Sequence, residues 1–242
     1  LKNFIKFILQ RVLGYRKYLL LFAGYKIRTL KNDVKEKDFF FFLELLKQDN
    51  RLVLDVGANI GIMTAHLGCT LPNTPILSIE PMPDNLFVLK EIVSKHALRN
   101  VEIQPVAVGE KSGEIEMILP IEQGAKQQGL SHVVHDSITE YNSGETIQVQ
   151  LKTLDELVAG RPVQGIKIDV ENYEYFALLG AENILSTDHP PLYMELWDNE
   201  NRTQCFQFLN GLGYRAFVVE ENSLVEYNSS IHKQQNFIFR VQ

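Results

Sequence analysis

Five acidic or glycine-bearing stretches in this chain close apolar runs, where chemistry-bearing side chains can be presented together. The first is Asp55-Val56-Gly57-Ala58-Asn59-Ile60-Gly61, which follows Leu52-Val53-Leu54 and precedes an apolar-periodic segment. A buried strand entering a glycine-bearing turn and then a helix offers backbone N–H groups and a helix N-terminus to a ligand. Gly57 and Gly61 lack a Cβ, so a flat or charged ligand can come close to the main chain. Asp55, at the end of the strand, is placed to accept a hydrogen bond from a cation. Glu80 follows 25 residues later, near the spacing at which a carboxylate meets the 2′- and 3′-hydroxyls of a nucleoside. The turn Ala107-Val108-Gly109 and the acids Asp169, Glu171 and Glu195 end or follow further strand-like runs. The bland alternatives are an ordinary strand–helix turn at Gly57–Gly61 and, for Glu80 and Glu171, charges at helix N-termini. The pattern D-x-G-x-N-x-G is not the dinucleotide fingerprint G-x-G-x-x-G, which disfavours a nicotinamide oxidoreductase.

The elements that must position these residues alternate. A helix is expected over about 35–48 and a strand over 51–56. A helix then runs from Gly61 to about Leu71, stopped by Pro72. A strand over 75–80 leads into a helix near 84–96 with Asp84 as its N-cap, then a strand over 101–106. Strand-like alternation at 114–119 and 147–152 brackets a polar stretch, 121–146, which reads as a two-stranded excursion with a long loop. Strands at 166–169 and 192–196 flank a helix over about 173–185, and a helix near 201–211 precedes strands at 214–219 and 236–241. Alternating strands and helices imply an α/β, doubly wound, mostly parallel sheet, with ligands outside the carboxyl ends of its strands.

With 242 residues, 45% of them hydrophobic and 22% charged, the chain suits one large globular domain over 35–242, preceded by an arm over 1–34. A net charge of −6 argues against a nucleic-acid partner. Cys69 and Cys205 have no metal-ligand spacing and read as free thiols of a reducing, cytoplasmic compartment. Residues 1–32 hold eight Lys and Arg and no acid, with apolar residues at helical spacing (Phe4, Ile5, Ile8, Leu9, Val12). Charge interrupts these apolar runs too often for a membrane span, and basic residues recur too far along for a cleaved signal peptide. The arm is expected either to lie on anionic lipid as a peripheral membrane contact or to cap the domain or a second subunit.

The segments LDVGANIG, SIEPMPDN, AVGEKSG and IKIDVENYEYFALLGAE, in this order, resemble the FkbM-type S-adenosylmethionine-dependent methyltransferases over about residues 50–242. One departure is Asn172, where the family usually has Gly; Asn also tolerates left-handed backbone geometry. The resemblance implies a seven-stranded class I, Rossmann-like sheet. It places Asp55, Gly57, Ala58, Asn59 and Gly61 around the methionine and sugar portions of S-adenosylmethionine, and Glu80 on the ribose hydroxyls. Pro81 and Met82 would lie beside the adenosine, Ala107 and Val108 along the adenine, and Asp169 facing the transferring methyl. Transfer to a hydroxyl needs a base or a metal. The candidate bases are Asp169, Glu171, Glu195, His132 and His135, and the three carboxylates are also a candidate site for magnesium. The expected acceptor is a sugar hydroxyl in a glycan, glycolipid or small secondary metabolite. The competing readings are a nucleoside-binding scaffold without catalysis and a membrane-associated module acting through its basic arm.

Overall fold

The structure, a computed structural model, describes residues 2–221 and 223–241. The arm forms two helices, α1 (Lys2–Leu13) and α2 (Tyr15–Thr29), separated at Gly14. Leu19 and Ala23 of α2 are fully buried against Ile60, Ala65, Val88 and Ile92, and Arg16 pairs with Asp84 at 2.7 Å. Two short 3-10 turns then lead to α3 (Lys37–Leu45), which buries Phe39, Phe42 and Leu43.

Strands and helices alternate from there as β1 (Leu52–Val56), α4 (Ile62–Thr70), β2 (Ile76–Ile79), α5 (Pro83–Lys95) and β3 (Val101–Gln104). The strand expected to reach Val106 stops at Gln104. Pro83 opens α5, and Met82 occupies the N-cap position without a side-chain bond. Asp84 therefore falls inside the first turn, where its carboxylate meets Arg16 instead of capping the helix.

The excursion is larger than a hairpin. It comprises β4 (Ala107–Val108), β5 (Gly113–Glu122), β6 (Ala125–Lys126), β7 (His132–Val133) and β8 (Gly144–Lys152), which form a second sheet in the order β4-β8-β5-β6 with β7 also on β5. The chain returns through α6 (Leu154–Val158) to β9 (Val163–Ile168), α7 (Glu174–Leu179), α8 (Glu182–Thr187), β10 (Leu192–Glu195) and α9 (Glu200–Gly211). It closes with β11 (Tyr214–Glu220), β12 (Ser223–Glu226) and β13 (Asn236–Val241).

The main sheet runs β12-β11-β13-β10-β9-β1-β2-β3. Strands β3, β2, β1, β9 and β10 are mutually parallel, and β13 enters antiparallel between β10 and β11. Seven of these strands match the expected class I sheet. The eighth, β12, folds back on β11 at the edge, because the stretch between the expected strands at 214–219 and 236–241 is long enough to pair.

The central strands are buried on both faces, and successive residues enter different clusters. Leu52, Leu54, Val56, Ile166 and Ile168 face a cluster with Ala177, Leu178, Leu185 and Leu209. Val53, on the opposite face, packs with Phe39, Phe42, Ile76 and Tyr193. The chain leaves β1 toward β2 on one side and later adds β9 on the other, so the topological switch lies between β1 and β9. That is where such sheets bind ligands.

The single helix expected over 173–185 is two helices, broken at Gly180. The chain passes there so close to the turn after β4 that a Cβ on Gly180 would collide with the Gly109 carbonyl and press on Thr153. Gly180→Ala is expected to lower unfolding free energy by about 1–3 kcal/mol through overpacking, read from the urea midpoint. An unchanged midpoint would mean the two segments are not locked together.

Candidate active site

The site is built on a polar row across four central strands. Ser78, Asp55, Lys167 and Tyr193 are register partners on β2, β1, β9 and β10, and all four are buried. Asp55 accepts from the Thr64 hydroxyl of α4 at 2.6 Å, and Thr64 lies 3.1 Å from the Ser78 hydroxyl. The Lys167 ammonium lies 3.4 Å from Asp55 and 3.7 Å from Asp169. It also donates to the carbonyl oxygens of Gly57 at 2.7 Å and Val56 at 3.3 Å. Burial by itself would push the Lys167 pKa down, but the carboxylates of Asp55 and Asp169 outweigh it and the pKa ends raised. Asp55 thus stands behind the turn, bonded to Thr64 and Lys167, and does not line the cleft as the sequence had placed it.

The turn itself is strongly shaped. Gly57, Asn59 and Gly61 have φ of 72°, 50° and 80°, and the N–H groups of Gly57 and Ala58 both donate to the Ile79 carbonyl. A Cβ on Gly57 would collide with the Asp169 carbonyl, so the position needs glycine both for its φ and for that close approach. Gly61 packs beneath α5 against Leu89, serving as the N-cap of α4 and lying outside the cleft.

In front of the turn is a cleft lined among others by Gly57, Asn59, Glu80, Pro81, Met82, Ala107, Val108, Gln128, Asp169 and Glu171. Glu80 is 4% exposed. One carboxylate oxygen accepts from the Asn59 N–H at 2.9 Å; the other accepts from the Met82 N–H at 2.8 Å and the Asn85 amide at 3.2 Å. Burial pushes its pKa up to about 7, opposed by those three donors and Lys167. The buried oxygens Asn59 Oδ1, Gln128 Oε1 and Ser131 Oγ have no hydrogen-bond partner within the protein, and all three residues line the cleft. A second cleft continues from it past Ala58 and Lys167 to Phe22 and Lys26 of α2 and Leu30 of the turn that follows.

The acids Asp169, Glu171 and Glu195 at the strand ends lie within electrostatic reach of one another. Asp169 lines both clefts. Glu171 is half-buried and sits at φ 53°, followed by Asn172 at φ 71°, so Asn172 adopts the left-handed geometry that lets it stand in for Gly. Burial, then Asp169, Glu195 and Glu174, push the Glu171 pKa up to about 10. Glu195 still reaches solvent; partial desolvation, then Asp169 and Glu36, push it up to about 7. Glu174 accepts from the Val170 N–H at 3.0 Å and from Asn201 at 2.6 Å, which anchors the loop carrying Asp169 and Glu171.

The histidines sit elsewhere. His132 is buried, with Nδ1 2.8 Å from the Leu130 carbonyl and Nε2 2.9 Å from Asn142 Oδ1. It ties the long loop together and is absent from the cleft wall, so the ring has no free nitrogen to offer a substrate. His135 packs on Tyr173 and Phe176 and meets Ser137. The magnesium expectation finds no support. No group of three or more His, Cys, Asp or Glu among the described residues is placed to hold a metal ion, and the Lys167 ammonium already lies between Asp55 and Asp169. Sequence reasoning missed Lys167, whose signal was a cation between Ile166 and Ile168 in an apolar run. It also missed Gln128, for which no signal exists.

The raised carboxyl pKa values fix a sign. Near neutral pH the folded chain holds protons on Glu171 that the unfolded chain, with Glu near 4.3, has released, so unfolding free energy falls as pH rises from that value through the folded pKa. Glu171→Gln is expected to flatten the decline in melting temperature between about pH 5 and 9. An identical slope in the variant would show that Glu171 is ordinarily ionised.

Comparison with known proteins assigns this arrangement to a family. The profile of the methyltransferase FkbM domain matches residues 55–216. Methyltransferase 1 of Beauveria bassiana (strain ARSEF 2860) is 22% identical over 149 residues, covering 56% of this chain and 60% of that protein. A methyltransferase FkbM of Methylobacillus flagellatus KT superposes with a TM-score of 0.56 at 15% identity, over 99% of this chain and 59% of its own. An rRNA methylase from Streptococcus thermophilus shares the fold with a TM-score of 0.51 at 15% identity, over 86% and 96% of the two chains. The chain thus spans about three-fifths of the length of the two FkbM-type and fungal relatives. With the strand order, the shaped turn and the buried acid after β2 already in place, the match over residues 55–216 shows that this chain belongs to the FkbM methyltransferase family.

Proposed function

We propose that the cleft binds S-adenosylmethionine and that the chain methylates a hydroxyl of a glycan or small-molecule acceptor. The observation that carries the reading is the set of unpartnered oxygens on Asn59, Gln128 and Ser131 together with buried Glu80. These groups line a cleft that also presents apolar Met82, Ala107 and Val108. A ligand that combines polar groups with a flat apolar ring suits such a lining, and a nucleoside has that form. Glu80 would hold the ribose hydroxyls, Pro81, Met82, Ala107 and Val108 the base, and the main chain of Gly57–Asn59 the amino-acid portion.

Bound there, the cofactor supplies an electrophilic methyl on a sulfonium. The protein's own part is positioning and proton handling. Lys167 fixes the carbonyls of the turn and draws Asp169 toward the junction of the two clefts. Among the clustered acids, Glu171 retains its proton near neutral pH and serves as a donor. Asp169, beside the ammonium and lining both clefts, takes the proton from the acceptor hydroxyl.

Calorimetric titration with S-adenosylhomocysteine tests the site: one-to-one binding is expected, and its absence from the folded protein would sink the reading. Glu80→Ala should weaken that binding by about 1–3 kcal/mol for a lost charge-assisted hydrogen bond. Lys167→Met leaves Asp55 buried without a cation, so unfolding free energy should drop by about 3–5 kcal/mol; a variant as stable as the parent would show that the pair is dispensable. Incubation of fractionated glycans with methyl-labelled cofactor tests the acceptor atom. Label in ether linkage, lost in Asp169→Asn, is expected; label on nitrogen alone overturns the oxygen assignment.

A further inference from the structure

Helix α1 is seated the wrong way round for a helix in water. Its inward face packs Phe7 on Gly124 but is otherwise polar: Gln10 exchanges two 2.9 Å hydrogen bonds with the Lys126 main chain, Lys6 donates to Gln127 at 2.7 Å, and Asn3 donates to Glu122 at 3.4 Å. Its outward face is apolar. Phe4, Ile8 and Val12, one turn apart, are 58%, 42% and 75% exposed, and Ile5 and Leu9 flank them at 49% and 42%. Leu21 and Tyr25 on the outer side of α2 are exposed too. Surface helices bury the apolar stripe and expose the polar one, and a contiguous exposed apolar face marks an interaction site.

Charge selects the occupant. Residues 1–32 carry eight cations and no anion, and Arg11, Lys17 and Arg28 are exposed on these two helices. A symmetric dimer through this face would set the cationic patch against itself. Apolar side chains ringed by Lys and Arg are what an anionic lipid surface takes up, acyl chains receiving the former and headgroups the latter. No helix among the described residues is long and apolar enough to cross a membrane. We propose that the outer face of α1, continued by α2, docks the protein on anionic lipid bilayers. The polar inward bonds hold α1 on the domain while its apolar side enters the interface.

The test is sedimentation of the full chain with vesicles of phosphatidylcholine alone and of phosphatidylcholine mixed with phosphatidylglycerol. Binding is expected only to the anionic vesicles, weakening as salt rises from about 0.1 to 0.5 M. The double substitution Ile8→Glu with Val12→Glu should lower partitioning at least about tenfold, and Arg11→Glu with Lys17→Glu should lower it and reduce its salt dependence. Both pairs are exposed and outside the cleft, so an unchanged circular dichroism melt shows that each variant folds. Failure of the parent chain to bind anionic vesicles overturns the proposal, as does equal binding by the variant carrying Ile8→Glu and Val12→Glu. So does a lipid-independent dimer, seen by light scattering, that the same two substitutions dissociate.

Discussion

The ion pair between Lys167 and Asp55 is the constraint on which the site rests. Both side chains are almost fully withdrawn from water, and burying two ions costs several kcal/mol that only close partners offset. Those partners are the substance of the site: the Thr64 hydroxyl on Asp55, and the carbonyls of Val56 and Gly57 on the ammonium. The cation therefore cannot settle unless the turn after β1 takes its left-handed course and α4 delivers Thr64. Strand register, turn geometry and helix placement are coupled through one ammonium group.

The same cation organises the acids in front of it. Asp169, Glu171, Glu195 and Glu36 crowd the strand ends, and their mutual repulsion and desolvation raise the pKa of three of them. Lys167 lies nearest Asp169 of these, which differentiates side chains that would otherwise be equivalent. Environments that push titratable groups apart divide the roles of donor and acceptor among chemically similar carboxyls. Glu80 belongs to a different set, with three donors from a turn and a helix start holding its two oxygens.

The walls of the cleft come from two parts of the chain. The turn and strand ends belong to the main sheet. Gln128 and Ser131 belong to the excursion, whose small sheet is tied to the arm by the bonds of Gln10 and Lys6. The arm in turn packs Leu19 and Ala23 against Ile60 and Ala65, next to the shaped turn. The arm thus touches both the 125–127 segment of the excursion and the residues beside the turn.

Much of this was legible in the residues. The strand at Leu52–Val56, the Gly57–Gly61 turn, Glu80 and the acids at 169, 171 and 195 could be read in order, because apolar periodicity and glycine report local backbone preferences. The eighth strand, the break at Gly180 and the placement of His132 could not, since each depends on what lies across space: β11 for β12, the Gly109 carbonyl for Gly180, Asn142 for His132. Asp55 shows the limit most clearly. Its type and position at a strand end fit a residue facing a ligand, and only the register of β1 on β9 set it opposite Lys167 and turned it inward. Local sequence thus determined which elements form and which acids stand at their ends, whereas the tertiary structure decided which of those acids meets a cation and which meets the cleft. That choice depends on cross-strand partners more than a hundred residues apart.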